Sequence, residues 1–252
     1  MGLSMATAAL WVERWERQQQ RYAVDREERF TVIADIVEHV VRDEPNPLVV
    51  DLGCGPGSLA ARLVRRLPHA EIVAVDRDPL LLELGRTHHA AAAQFVEATI
   101  GADGWVRAMA LDRPLDAVVS TTALHCLPVE VLADAYRQFA ALVRPGGVLV
   151  NSDHFEPGGD PASRIAVEVG RRRAERRRPH DLEDWTSWWA AAADEPELAQ
   201  LLTDQPRPSS AHHNPDNGLP LSHHVELLRR AGFQHICPVW QFGTGYVLVA
   251  VR

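Results

Sequence analysis

The chain of 252 residues lacks several things that would place it in whole classes of protein. It has three cysteines, at 54, 126 and 237, far apart and odd in number. That excludes a disulfide framework and offers no zinc-ligand spacing, and it suits a reducing cytoplasm. No apolar run approaches the roughly 18 residues that a membrane-crossing helix needs. The first helix-like stretch carries Glu13, Arg14, Glu16 and Arg17 where a secretion signal would be apolar, so export by that route is not expected. Positive charge is also short. The formal net charge of −8 disfavours broad nucleic-acid affinity, which needs a positive surface. What remains is ordinary for a globular protein: 46% hydrophobic and 24% charged residues, in a length suited to one well-buried domain, 1–252.

The most informative stretch is residues 48–57, Leu-Val-Val-Asp-Leu-Gly-Cys-Gly-Pro-Gly. A short apolar run bounded by glycine reads as a buried parallel strand, and the residues from Ser58 onward read as a helix. Glycine permits positive φ and lets a ligand approach the backbone. The dinucleotide fingerprint G-x-G-x-x-G is not met: counted from Gly53 its third glycine falls on Ser58 and Gly57 is left without a role, and counted from Gly55, with Gly57 as the second glycine, the third falls on Ala60. No Gly-Lys-Ser/Thr follows, so a P-loop is excluded as well.

Around this loop, strands and helices alternate. The 1–44 segment is helical over about 8–42, with Phe30, Ile33, Ile36, Val37 and Val40 at helical spacing, and Pro45 and Pro47 end it. Strands are expected at 48–52, 71–76, 93–98, 115–120 and 147–152. Helices are expected at 58–67, 79–90, 103–111 and 128–143. Such alternation implies βαβ units and a parallel sheet. After a helix at 222–231 that stops at Gly232, two strand-like runs, 233–242 and 245–251, are separated only by Gly243-Thr244, which allows nothing but an antiparallel hairpin. The expected fold is therefore α/β: a doubly wound, mostly parallel seven-stranded sheet ending in an antiparallel hairpin. An N-terminal helix precedes it, and a helical insertion interrupts it at 156–221.

Asp51, Leu52, Gly53, Cys54, Gly55, Pro56 and Gly57 together resemble the first motif of the class I S-adenosylmethionine (SAM)-dependent methyltransferases, hydrophobic-Asp-hydrophobic-Gly-x-Gly-x-Gly. Parallel units closed by an antiparallel hairpin are similar to that family's fold, so the resemblance covers about 45–155 and 222–252. It implies SAM as cofactor and methyl transfer as activity. It also implies an acid at the end of the second strand for the ribose hydroxyls, where Asp76 ends Ile-Val-Ala-Val-Asp, and a carboxylate can accept two hydrogen bonds there. Arg77 would lie against the adenine. Gly53, Cys54 and Gly55 would take the amino-acid end, with Asp51 binding the ammonium or positioning the loop. A cation is expected for the carboxylate, and Arg26 and Arg29 are candidates, with Tyr22 nearby; either arginine also reads as a solvated helix face. The family often uses an acid after the third strand for adenine. This sequence departs from that pattern, leaving Thr99 with Ile100 as lining residues, or Asp103 in the next turn.

Ser120 and His125, after the fourth strand, should border the cofactor. His125 reads either as a general base or as a packing residue beneath the cofactor, and His154 at the end of the fifth strand is the other candidate base. His212, His213, His223 and His224 cluster beside Asp216 and, with His154, contain metal-ligating chemistry but no ligand spacing, so no metal is assigned. Six arginines at 171–178 read as an anion- or RNA-binding run or as a solvated helix. Trp185, Trp188 and Trp189 read as core or as an aromatic substrate lid. The combined expectation is a cytoplasmic SAM-dependent methyltransferase of a small-molecule acceptor, O-, N- or C-nucleophile or carboxylate, with 156–221 as lid and a homodimer allowed. An RNA-modifying methyltransferase and a SAM-binding protein without methyltransferase activity are the alternatives.

Overall fold

The structure, a computed structural model, describes residues 2–178, 181–202 and 216–252. Seven strands form one sheet in the order β3-β2-β1-β4-β5-β7-β6. They are β1 Leu48–Leu52, β2 Glu71–Asp76, β3 Gln94–Glu97, β4 Leu115–Thr121, β5 Val143–His154, β6 His235–Phe242 and β7 Gly245–Val251. The first five run parallel; β7 lies antiparallel to both β5 and β6. This is the class I methyltransferase sheet, and the expected mostly parallel order and terminal hairpin are both present.

Central strands are apolar on both faces because helices cover both. All five residues of β1 are buried. One face packs Leu52, Val75 and Val118 beneath α6 (Val129–Leu142) and α10 (Leu221–Ala231). The other packs Val49, Ala74 and Val119 beneath α2 (Arg26–Val40) and α3 (Ser58–Arg66). Register aligns Leu52 with Val75 on one side and Ser120 on the other, so β1, β2 and β4 end together and their following loops share one rim.

Two boundaries differ from those the sequence suggests. The single helix expected over 8–42 is two, α1 Met5–Gln19 and α2, broken at 20–25. The reason is that they bury different faces. Trp11 and Trp15 of α1 pack with α4 (Pro79–His88) and α8 (Trp185–Asp194), whereas Phe30, Ile33 and Val37 of α2 pack on the sheet. One straight helix cannot serve both. Strand β5 starts at Val143 rather than 147: its pairing with β4 skips from Leu115–Val143 to Ala117–Val148, and the Pro145-Gly146-Gly147 turn is bulged out within the strand.

The remaining helices are α5 Trp105–Ala108, α7 Pro161–Arg177 and α9 Pro196–Leu202. The described part of 156–221 thus supplies α7, α8 and α9. Asp160 and Asp184 cap α7 and α8, their carboxylates accepting backbone N–H groups at 2.8–3.0 Å. Trp188 is fully buried against Trp11 and Trp15, ring centroids 5.3 and 5.1 Å apart, which fixes α8 to α1. Among the described residues no helix is long and apolar enough to cross a membrane.

Candidate functional site

The rim where β1, β2 and β4 end opens into a cavity of about 440 Å³. Its floor is the glycine loop. Gly53, Gly55 and Gly57 all take positive φ, +67°, +54° and +82°. Gly53 and Gly57 are also held by packing: a Cβ at Gly53 would lie 2.3 Å from Cβ of Ala123, and one at Gly57 would lie 2.7 Å from the Phe95 ring. At Gly55 the nearest atom would be the Trp15 ring at 3.5 Å, across the cavity mouth. The N–H groups of Gly53 and Cys54 both donate to the Val75 carbonyl, 2.8 and 3.0 Å, lacing the loop to β2.

Asp76 stands at the end of β2. Its Oδ2 accepts the Gly55 N–H at 2.7 Å and its Oδ1 accepts the Asp78 N–H at 3.0 Å, so one carboxylate ties the loop to the start of α4. Asp78 caps that helix through Leu81 N–H at 3.1 Å, with Pro79 in its first turn. Burial raises the pKa of Asp76, against the backbone N–H groups that lower it, and burial pushes Asp78 up to about 6. Beneath the loop, Asp51 is fully buried, its carboxylate oxygens making no close side-chain hydrogen bond, and burial, against the Ala60 backbone N–H, pushes it up to about 7. Asp76 and Asp78 line this floor, while Asp51 lies beneath it, outside the cavity lining.

Of the residues singled out in the sequence, Gly53, Cys54, Gly55, Asp76, Arg77, Thr99 and Ile100 line this cavity together, as does Arg26. The Cys54 thiol is buried, donates to the Gly55 carbonyl at 3.3 Å, and has its pKa raised by that burial. Ser120 is not at the wall: it is buried, and its Oγ donates to the carbonyl of Leu52, its register partner in β1, at 2.9 Å. Tyr22 and Arg29 are not there either. The break between α1 and α2 carries them, with His154, to a second cavity of about 230 Å³ bounded also by Thr244 and Gly245 of the terminal hairpin.

His125 lines neither cavity. Its Nδ1 lies 2.8 Å from Oδ1 of Asp153, whose other oxygen accepts the His125 N–H at 3.2 Å. Burial opposes charge on this ring, but the fully buried Asp153 carboxylate outweighs it and raises the His125 pKa, holding it as imidazolium. A ring that carries a proton in the resting fold would have to release it before it could accept one. His154 is the opposite case: burial first, then the Arg29 charge, lower it to about 4, so its imidazole is neutral. His224 packs in the core with its Nδ1 3.0 Å from the Tyr136 hydroxyl. His212 and His213 lie outside the described residues; among those described, no group of three His, Cys, Asp or Glu side chains is placed to hold a metal.

Trp185 and Trp189 of α8, flagged by their helical spacing, wall the cavity, as do Trp15 and Gln19 of α1, which carry no sequence signal of their own; the tryptophan cluster joins the two helices over the loop. Thr122, with a positive φ of 52°, lines it too, its N–H bonded to the Ser152 carbonyl at 2.9 Å. A threonine there is strained, as residues at ligand sites often are. The arginine run is largely paired on α7, where Arg171 and Arg172 bond Glu168 at 2.7 and 2.8 Å.

Sheet order, glycine loop and the acid at the end of β2 together define a class I methyltransferase-fold protein. Residues 49–147 match the family described as methyltransferase domain. It is 33% identical over 137 residues, 54% of this chain and 49% of the relative, to a trans-aconitate 2-methyltransferase of Azoarcus sp. strain BH72. To an uncharacterized methyltransferase of Mycobacterium tuberculosis strain H37Rv it is 41% identical over 106 residues, 40% of this chain and 47% of the relative. The aligned stretch thus spans about half the length of these curated relatives. Human N-acetylserotonin methyltransferase in complex with SAM has a similar fold, TM-score 0.54 at 17% identity, over 97% of this chain and 58% of that one.

Proposed function

We propose that the chain is a SAM-dependent methyltransferase acting on a small-molecule acceptor. The observation that carries this reading is Asp76, whose carboxylate grips the Gly55 N–H at the end of β2 and faces the 440 Å³ cavity. The cavity residues fit the cofactor. Asp76 would hold the ribose hydroxyls, Thr99 and Ile100 the adenine flank with Arg77, and Gly53 to Gly55 the amino-acid end. Asp51, buried beneath the loop, would position it for the ammonium. Arg26, ion-paired with Glu16, is the cation placed at this cavity for the carboxylate. When bound, SAM supplies an electrophilic methyl group; the protein's share is to orient an acceptor and exclude water.

Neutral His154 lines the second cavity, where it could hydrogen-bond an acceptor but, with its pKa at about 4, is a weak base, and charged His125 is suited to hold Asp153 and the end of β5 in place. The described helices of the 156–221 insertion would serve as the lid, since Trp185 and Trp189 close over the glycine loop. The chain would work as one domain, 1–252, in the cytoplasm, alone or as a homodimer. Relatives named trans-aconitate 2-methyltransferase support a small acceptor. The pairing of Arg171 and Arg172 with Glu168, and the charge of −8, argue against RNA.

Calorimetry with SAM and its demethylated product, then turnover of methyl-tritiated SAM against a pool of small metabolites, test the reading. Binding with transfer to a small product is expected. Absence of SAM binding overturns it, transfer to tRNA instead moves the acceptor to RNA, and binding without transfer to any acceptor favours the binding-only alternative.

A further inference from the structure

Arg29 presents an unsolved charge. It is 2% exposed, and both terminal guanidinium nitrogens have no hydrogen-bond partner among the described residues. Burying a cation costs several kcal/mol unless a partner repays it, and a guanidinium fork left open is shaped for a planar, two-oxygen anion. The nearest acids do not close the fork. Asp153 is spent on His125 and on the His154 N–H, and Asp25 is ion-paired with Arg173. Burial, the largest effect, pulls Arg29 down to about 10, which still leaves it charged at neutral pH.

The cavity beside it is built for more than an inorganic ion. Arg29, Tyr22 and His154 form its polar side, while Trp240 and Phe242 of β6 supply aromatic surface. The other arginines at its edge are already engaged: Arg21 with the Leu182 carbonyl at 2.8 Å, Arg171 with Glu168, and Arg173 with Asp25 and over the Phe242 ring at 4.4 Å. One wall separates this cavity from the glycine-loop cavity. The Tyr22 hydroxyl accepts the N–H of Trp185, which lines the first cavity, and Arg26 of the first lies one turn from Arg29 of the second.

We propose that this second cavity is the anion subsite of the acceptor, that Arg29 clamps a carboxylate of a small organic acid there, and that this carboxylate is an anchor and not the group methylated. The inference rests on the methyltransferase reading for the word acceptor, though not for the anion site itself. A carboxylate held by both prongs of an arginine has its lone pairs committed to N–H groups and is a poor nucleophile. The methylated atom is then a second nucleophile on the same molecule, and the product keeps a free acid.

The test is a calorimetric and NMR titration of the full chain with benzoate, 3-phenylpropionate and glutarate, and with benzamide as uncharged isostere. At least one acid should bind saturably in the millimolar range or tighter, with benzamide at least about tenfold weaker. Arg29→Met should lose about tenfold or more of that affinity while still binding SAM as the unaltered chain does. Arg29→Lys, which keeps charge but not the fork, should fall between them and decides the matter should the methionine variant not fold. No acid bound at 50 mM (on the order of the weakest useful affinity), equal binding of benzamide, or unchanged acid affinity in the variants each overturns the proposal. Loss of SAM affinity in Arg29→Met also overturns it, by returning Arg29 to the cofactor. If the unaltered chain binds the acid but not SAM, the anion site stands and the methyltransferase reading is what fails.

Discussion

Arg26 and Arg29 lie one turn apart on α2, yet they line different cavities. Arg26 reaches back to Glu16 on α1 and flanks the glycine loop, whereas Arg29 turns toward His154 and the terminal hairpin without a partner. One helical turn therefore separates the cation suited to the cofactor's carboxylate from the cation suited to the acceptor. The division follows from the break at 20–25, which lets α1 close the first cavity while α2 stays on the sheet.

Asp76→Ala should reduce SAM affinity at least about tenfold, since it removes a charged acceptor as well as the ties to Gly55 and Asp78. Calorimetry reads the affinity, and circular dichroism establishes that the variant is folded. Affinity within twofold of the unaltered chain (about 0.4 kcal/mol) would remove Asp76 from the cofactor site.

The His125–Asp153 pair gives a pH signature. His125 has a raised pKa when folded, so its stabilisation is whole below about pH 6.5 and drains away as the pH climbs through the raised value. Asp153 is lowered despite burial, the largest effect, because His125 bonds it; its share is whole above about pH 4 and is lost as pH falls through the depressed value. Denaturant unfolding should show stability declining on the alkaline side of pH 6.5. Asp153→Asn should cost about 3 kcal/mol or more at pH 6 and flatten that decline. The same slope in the variant would mean that His125 is not the group responsible.

Asp51 has the opposite sign. Its folded pKa of about 7 lies above the ordinary carboxylate value, so folding takes up a proton and stability falls as pH rises from about 4 to 7. Asp51→Asn should flatten this window and stabilise the protein by about 1–3 kcal/mol at pH 8. It should also weaken SAM binding, since a neutral amide positions the loop less well for an ammonium. A variant less stable than the parent at pH 8 would show that the buried carboxylate has a partner on the loop.

The legible parts of this chain are those written in consecutive residues. Strand β1, its glycine loop and Asp76 carry local signals, namely apolar runs, positive-φ glycines and an acid at a strand end, and Gly243-Thr244 forced the antiparallel hairpin. The charge on His125 was not legible, because it depends on Asp153, 28 residues on, in the neighbouring strand. Nor was the assignment of Tyr22 and Arg29 to a second cavity, because the helical pattern of 8–42 does not show where the two helices part. Trp15 and Trp189 wall the loop through packing of α1 on α8, a tertiary fact that the periodicity of either helix alone does not contain.

The glycines separate strain from space. Gly53→Ala meets both a φ of +67° and the Ala123 Cβ at 2.3 Å, whereas Gly55→Ala meets a φ of +54° with the Trp15 ring no closer than 3.5 Å. Backbone strain of about 1–2 kcal/mol is common to both, so the difference between them measures the clash. Gly53→Ala should be the more destabilising by about 1–3 kcal/mol in denaturant unfolding. Removing the opposing methyl with Ala123→Gly should recover that difference in the double variant and leave the strain behind. Gly55→Ala should instead lower SAM affinity, its methyl projecting from the cavity floor toward Trp15. If the double variant recovers nothing, the loop has moved away from Ala123, and strain alone accounts for Gly53.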